Sequence, residues 1–121
     1  IGYERERKAR SAGVRTHMMV AIGAALFVLI PQQIGASTSD LTRVLQGLIA
    51  GVGFLGAGAI IIGTGKVETR GLTTAAGIWV TAAIGVAAGM GRESTAVLST
   101  VVALFVLTVI PWIYQNKRKK V

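Results

Sequence analysis

Residues 51–61 read GVGFLGAGAII and contain a complete G-x-G-x-x-G at Gly51, Gly53 and Gly56. In a soluble enzyme such glycines let the backbone approach a pyrophosphate at a helix N-terminus. That chemistry needs a strand before the motif, a helix after it and an acidic residue about 20 positions on. Here the glycines sit inside a long uncharged run. The next acidic residue, Glu68, lies 15 positions past Gly53 and shares a loop with Lys66 and Arg70. Gly65-Lys66 is no phosphate loop either, because Val67 follows it and Ile60 stands where the first glycine belongs. No nucleotide or other cofactor is expected.

The other chemistry-bearing residues are few. With no cysteine, disulfides, thiolate metal sites and thiol nucleophiles are excluded. His17 is the one histidine, and no sequence neighbour completes a metal site or a Ser/His pair, so neither a metal nor a catalytic residue is expected. His17 reads either as an interfacial residue at a helix start or as a proton or anion contact. Asp40 and Arg43 stand three apart. They read as a helix cap beside a snorkelling arginine, or as a gating carboxylate held by its neighbour.

The elements that position these residues follow from the charge map. Only 15% of the 121 residues are charged, against about 25% in a soluble domain, and the mean hydropathy is +0.63. Charged side chains leave four gaps, Met18–Ser39, Val44–Gly65, Gly71–Gly91 and Ser94–Asn116, each 21 to 23 residues long. About 20 apolar residues in a helix cross the roughly 30 Å of hydrocarbon. The gaps lack the alternation of barrel strands. The fold class is therefore all-α, a polytopic bundle of four transmembrane helices near 17–33, 41–62, 73–90 and 95–114. One transmembrane domain covers 1–121, with a basic tail at 115–121.

Four crossings put Arg5, Arg7, Lys8, Arg10 and Arg15 on one side with Lys66, Arg70 and the tail residues Lys117, Arg118, Lys119 and Lys120. Eleven basic residues face Arg43 and Arg92 alone, which predicts a cytoplasmic C-terminus and explains the net charge of +8 without nucleic acid. The KRKK tail beside Trp112 and Tyr114 reads as an anchor in anionic headgroups.

In lipid, helices gain from close packing rather than from apolar burial, and small residues permit it. Gly47 and Gly51 form G-x-x-x-G on the second span, where Gly53 and Gly58 extend a small-residue face interrupted by Phe54. Gly85 and Gly89 form another on the third. These glycines are expected to pack helices within one subunit or across a dimer, with the second and third spans central and the fourth peripheral. The inner face gathers Glu4, Arg5, Arg15, His17, Arg70, Thr73 and Thr74. Thr73 and Thr74 could cap the third span, and Arg70 could pair with Glu4 or Glu6. This cluster is the candidate functional surface, receptive to an anionic lipid head or a partner's acidic segment. The rival reading is an ordinary solvated basic face.

Three stretches, GYERERKARSAGVRTH, GLIAGVGFLGAGAII and RGLTTAAGIWVTAAIGVAAG, in this order and spacing resemble the MgtC/SapB family of bacterial inner-membrane proteins. The resemblance implies a further transmembrane helix before Ile1 and a role in growth under low magnesium. It also implies action by binding other membrane machines, such as the proton-driven ATP synthase, rather than by carrying magnesium. Virulence-associated members carry Asn and Cys where this chain has Thr73 and Val80, and a soluble C-terminal domain. The chain is thus more similar to the short, SapB-like type. Two functions follow: a non-enzymatic regulator whose partners are membrane lipids and a second copy (a homodimer) or another membrane protein, or a transporter or channel subunit for Mg2+ or another small cation.

Overall fold

The computed structural model describes the backbone of residues 1–62 and 68–118 and the side chains of 1–61 and 71–116. Five helices follow one another: α1 (Gly2–Arg7), α2 (Val14–Gln33), α3 (Thr38–Ile62), α4 (Glu68–Gly89) and α5 (Glu93–Arg118). The last four are long and apolar enough to cross a membrane. Among the described residues there is no strand.

The four long helices extend beyond the expected spans. α2 starts at Val14 rather than near 17, α3 at Thr38 rather than near 41, and α4 at Glu68 rather than near 73. Charge marks where hydrocarbon stops, whereas a helix stops where its end groups find partners. The two differ wherever a cap lies in the headgroup layer. For α3 the cap is Ser37, three residues before Asp40: the Asp40 N–H donates to Ser37 Oγ (3.2 Å) and Ser37 N–H to Asp40 Oδ2 (3.3 Å). Asp40 is therefore the reciprocal member of a capping box rather than the cap itself.

α2 and α4 both end in a left-handed glycine. Gly35 (φ +76°) and Gly91 (φ +69°) let the next amide reach back to the carbonyls of Pro31 (2.9 Å) and Ala87 (2.8 Å). α1 ends the same way, but with Ala9 at φ +49°, a position where a side chain costs energy.

α4 is the centre of the bundle, packed along α2, then α3, then α5, whereas α2 and α3 touch little. Parallel α2 and α4 approach closely because the residues at their contact are small. A Cβ on Gly85 would run into the Ala21 carbonyl oxygen, and one on Gly89 would lie 2.6 Å from Val28 Cγ2 and 2.8 Å from Ala25 Cα. The core is correspondingly small-sided: Ala24, Val28, Ile78 and Ala82, joined by Val52 of α3.

On α3 the expected packing is not made within the chain. A Cβ on Gly47, Gly51, Gly53 or Gly58 would meet nothing within 4 Å. The α3 glycine that does pack is Gly56, 3.5 Å from Ala75 Cβ, and Gly71 of α4 would stand 3.1 Å from Ile60 Cα. α3 leans on α4 with its other face, so it is less central than its composition suggests. α5 is peripheral, with Val97, Leu98, Val101 and Phe105 exposed.

Candidate functional site

The site grows from GYERERKARSAGVRTH. α1 is too short to persist alone, so its side chains must hold it to the bundle. Gly2 lies against α2, where a Cβ would stand 2.8 Å from Val14 Cα and 3.1 Å from His17 Cβ. Glu6 Oε2 accepts the Val14 N–H at 2.8 Å, satisfying a free amide in the first turn of α2 and placing a carboxylate at its positive end. Gly13 makes that possible, since a Cβ there would stand 2.6 Å from Glu6 Oε2.

Arg5 is 3% exposed and donates from Nη2 to Thr74 Oγ1 at 3.1 Å, tying α1 to α4. Glu4 Oε2 stands 3.8 Å from Arg5 Nη1, and Lys8 Nζ, one turn on, pairs with Glu4 Oε1 at 2.5 Å. Burial pulls the Arg5 guanidinium below its ordinary pKa, the Glu4 carboxylate opposes this, and Arg10 adds to the lowering. A guanidinium keeps its proton even so. Arg5 is therefore a buried cation beside Glu4, a carboxylate it shares with Lys8.

Lys8 also donates to the Leu107 carbonyl of α5 at 3.0 Å. Pro111 explains this bond: it has no N–H, so the carbonyl four residues before it loses its helical partner. The ammonium takes the vacant place.

His17 is 4% exposed, and its Nδ1 donates to the Gly13 carbonyl at 2.9 Å. Its Nε2 has no hydrogen-bond partner and faces Gly77 of α4, whose Cβ position is 3.5 Å away. One turn further along α4, Thr81 Oγ1 is likewise buried without a partner.

Of the seven expected inner-face residues, Glu4, Arg5, His17 and Thr74 converge at this end of the bundle. Arg15 and Thr73 are exposed. Thr73 and Thr74 lie in the second turn of α4, which begins at Glu68, so they do not cap it. The Arg70 side chain and Lys66 lie outside the described residues, as does the KRKK tail beyond Arg118. The Glu4 and Glu6 carboxylates are engaged within the N-terminal segment. Asp40 engages Ser37 rather than Arg43, and both Asp40 and Arg43 are exposed.

Lys8, Glu6, Gly77 and Thr81 were not legible as site residues, although the i,i+4 spacing of Glu4 and Lys8 and the proline at 111 were signals for the first. Among the described residues no three His, Cys, Asp or Glu side chains group as metal ligands. The arrangement can hold α1, α2, α4 and α5 in register, and it carries two unpaired polar atoms into the α2–α4 seam.

The family model described as the MgtC family matches residues 1–116. The chain is 43% identical over 119 residues to Protein SrpB of Synechococcus elongatus, covering 89% of this chain and 65% of that protein. It is 39% identical over 116 residues to YhiD of Escherichia coli, whose given name proposes a magnesium transporter, covering 90% of this chain and 53% of YhiD. Protein MgtC of Brucella abortus is 46% identical over 101 residues, 84% of this chain and 41% of that protein. The chain thus spans between two fifths and two thirds of the length of these relatives. No solved structure matches it.

Proposed function

Because the chain belongs to the MgtC family of membrane proteins, we propose that it is a non-enzymatic regulator in the bacterial inner membrane. It serves homeostasis under magnesium limitation or membrane-energy stress, acting by helix contact with a second copy or another membrane protein, with its C-terminus in the cytoplasm. The observation that carries this reading is the outer face of α3. Phe54 is 82% exposed there, and helical geometry surrounds it with Ala50, Gly53, Ala57 and Gly58. A ring standing beside glycines whose Cβ positions are empty is a knob next to a hole. Such a surface suits close packing of two helices in lipid and can pair with itself about a two-fold axis.

The chain has no cysteine, so single cysteines at 53 or 57 report neighbours in native membranes. Crosslinked copies, or a crosslinked second membrane protein, are expected. Gly53→Leu should abolish the crosslink at 57 and impair growth in limiting magnesium at matched membrane levels. Val102→Leu on exposed α5 should do neither. Normal growth of Gly53→Leu, with no crosslink in the parent, would sink the reading.

A small-cation transporter is the second reading. It is favoured by the buried polar atoms of Arg5, Thr74, His17 and Thr81 along the α2–α4 seam and by the name given to YhiD. Mg2+ flux in proteoliposomes that Thr81→Val abolishes would support it over the regulator.

A further inference from the structure

Four polar side chains on the spanning helices meet their hydrogen-bonding needs inside the chain. The hydroxyls of Thr42, Thr100 and Thr108 donate to the carbonyls of Thr38, Ala96 and Leu104, one turn back, at 2.9, 2.8 and 2.6 Å. Gln32 donates to the carbonyls of Val28 (2.8 Å) and Gly89 (3.2 Å). Gln46 behaves differently. Its side chain is exposed and makes no hydrogen bond among the described residues. It stands eight steps, about 12 Å, into the 24-residue span Thr38–Ile61, so an amide with two N–H donors and a carbonyl faces hydrocarbon. An amide left unpaired there is costly.

Helical spacing decides what surrounds the amide. Gln46, Ala50, Gly53 and Ala57 follow at intervals of four, three and four residues, which puts them in one row along α3, and all four are exposed. The row looks away from α4, because Val52 and Gly56 on the opposite side of α3 are buried, Gly56 against Ala75. Beyond Gln46 the row therefore carries side chains no larger than a methyl, beside the exposed ring of Phe54. A helix laid on it comes close enough for a side-chain amide to reach across. Arg43, three residues earlier and outside the uncharged run, keeps its guanidinium among headgroups and water.

We propose that the partner of this face is a second copy of the chain, held by reciprocal hydrogen bonds between the two Gln46 amides in a parallel α3–α3 pair about a two-fold axis normal to the membrane. This deepens the regulatory reading and rests on its outer face of α3, but it names one partner where that reading admits two. Chains inserted with the same orientation carry Gln46 at the same depth, so such an axis brings amide to amide with no demand on any other sequence. An amide is self-complementary: each donates an N–H to the other's carbonyl, and the pair satisfies both at once. The small residues at 50, 53 and 57 let the two helices close on that contact. A different membrane protein would have to present its own donor and acceptor at that depth.

The test counts amides. Gln46→Met removes the amide with little change of shape at an exposed position, and Gln46→Leu is the second variant should methionine disturb the fold. Copies carrying a donor or an acceptor dye on Arg92→Cys are mixed in phosphatidylcholine vesicles, and energy transfer is followed as added lipid dilutes the protein. The variant pair should dissociate at a protein-to-lipid ratio about tenfold higher than the parent pair, the loss of two interhelical hydrogen bonds at roughly a factor of three each. A mixed pair of parent and variant should be as weak as two variants, because one amide without the other loses both bonds. Bonds from each Gln46 to some other group of the partner would instead place the mixed pair midway. Ala50→Cys, one turn along the row, should crosslink copy to copy in native membranes, and Gln46→Met should weaken that crosslink. Energy transfer unchanged by Gln46→Met, or a mixed pair midway between the two, overturns the proposal. So does a cysteine at 50 that crosslinks only to a different membrane protein, an outcome that leaves the regulatory reading standing. Absence of crosslinks at 50, 53 and 57 alike removes both.

Discussion

Gly85→Ala is the most informative single perturbation of the bundle, because adding one methyl tests the α2–α4 contact directly. The added Cβ would run into the Ala21 carbonyl oxygen and stand 3.0 Å from both Ala21 C and Cα. These are backbone atoms, so no side-chain rotation relieves the contact and the helices must separate. Overpacking costs typically about 1–3 kcal/mol, and a backbone obstacle places this site near the top of that range. Against it, alanine gains about 1 kcal/mol over glycine in helix propensity. The net loss is about 2 kcal/mol, about 30-fold in the folding equilibrium. Gly51→Ala makes the same chemical change with nothing within 4 Å, so only the propensity gain of about 1 kcal/mol remains. The two variants should therefore differ by about 3 kcal/mol in opposite directions. Unfolding by SDS titration, followed through Trp79 of α4, reads this as opposite displacements of the midpoint. Coincident midpoints would refute the claim that glycine at 85 is required by the approach of α2.

Four further outcomes follow from named contacts. Lys8→Met should cost about 1 kcal/mol in the native chain and less than half of that beside Pro111→Ala, where an amide is restored to the Leu107 carbonyl; a double-mutant cycle on unfolding measures the coupling. Thr74→Val removes the hydroxyl that accepts from buried Arg5 and should destabilise by roughly 1.5–3 kcal/mol in the same titration; an unchanged midpoint would mean that this bond does not hold α1 to α4. Ala9→Gly should raise the midpoint by about 1 kcal/mol, since φ +49° strains alanine and not glycine; no change would mean that Ala9 is relaxed. Cysteines at Ser37 and Arg92 should react with an impermeant reagent in intact cells while one at Arg10 should not, and reversed labelling would invert the proposed topology.

The number and order of the membrane-spanning helices, and which stretch of each crosses hydrocarbon, were legible in the sequence because they depend on one-dimensional quantities. Hydrocarbon thickness sets the run length, and the cost of placing a charge in lipid sets where a run must end. The gap from Met18 to Ser39 therefore marks α2 without any knowledge of its neighbours. Helix ends were less legible: Ser37 rather than Asp40 opens α3, and Glu6, eight residues upstream, caps Val14. A cap depends on where another segment folds back. The glycines mark the sharpest division. Composition shows small residues on α3 and α4 alike, yet Gly85 and Gly89 are filled against α2 while Gly47, Gly51, Gly53 and Gly58 face open space. Which glycine is a contact depends on the rotation of each helix about its own axis, set by the sum of its packing against α4. The same holds for Arg5, Lys8 and Leu107, which are brought together across as many as 99 positions of sequence. A one-dimensional pattern shows that a residue must avoid lipid, but the three-dimensional path of the chain decides which group it meets instead.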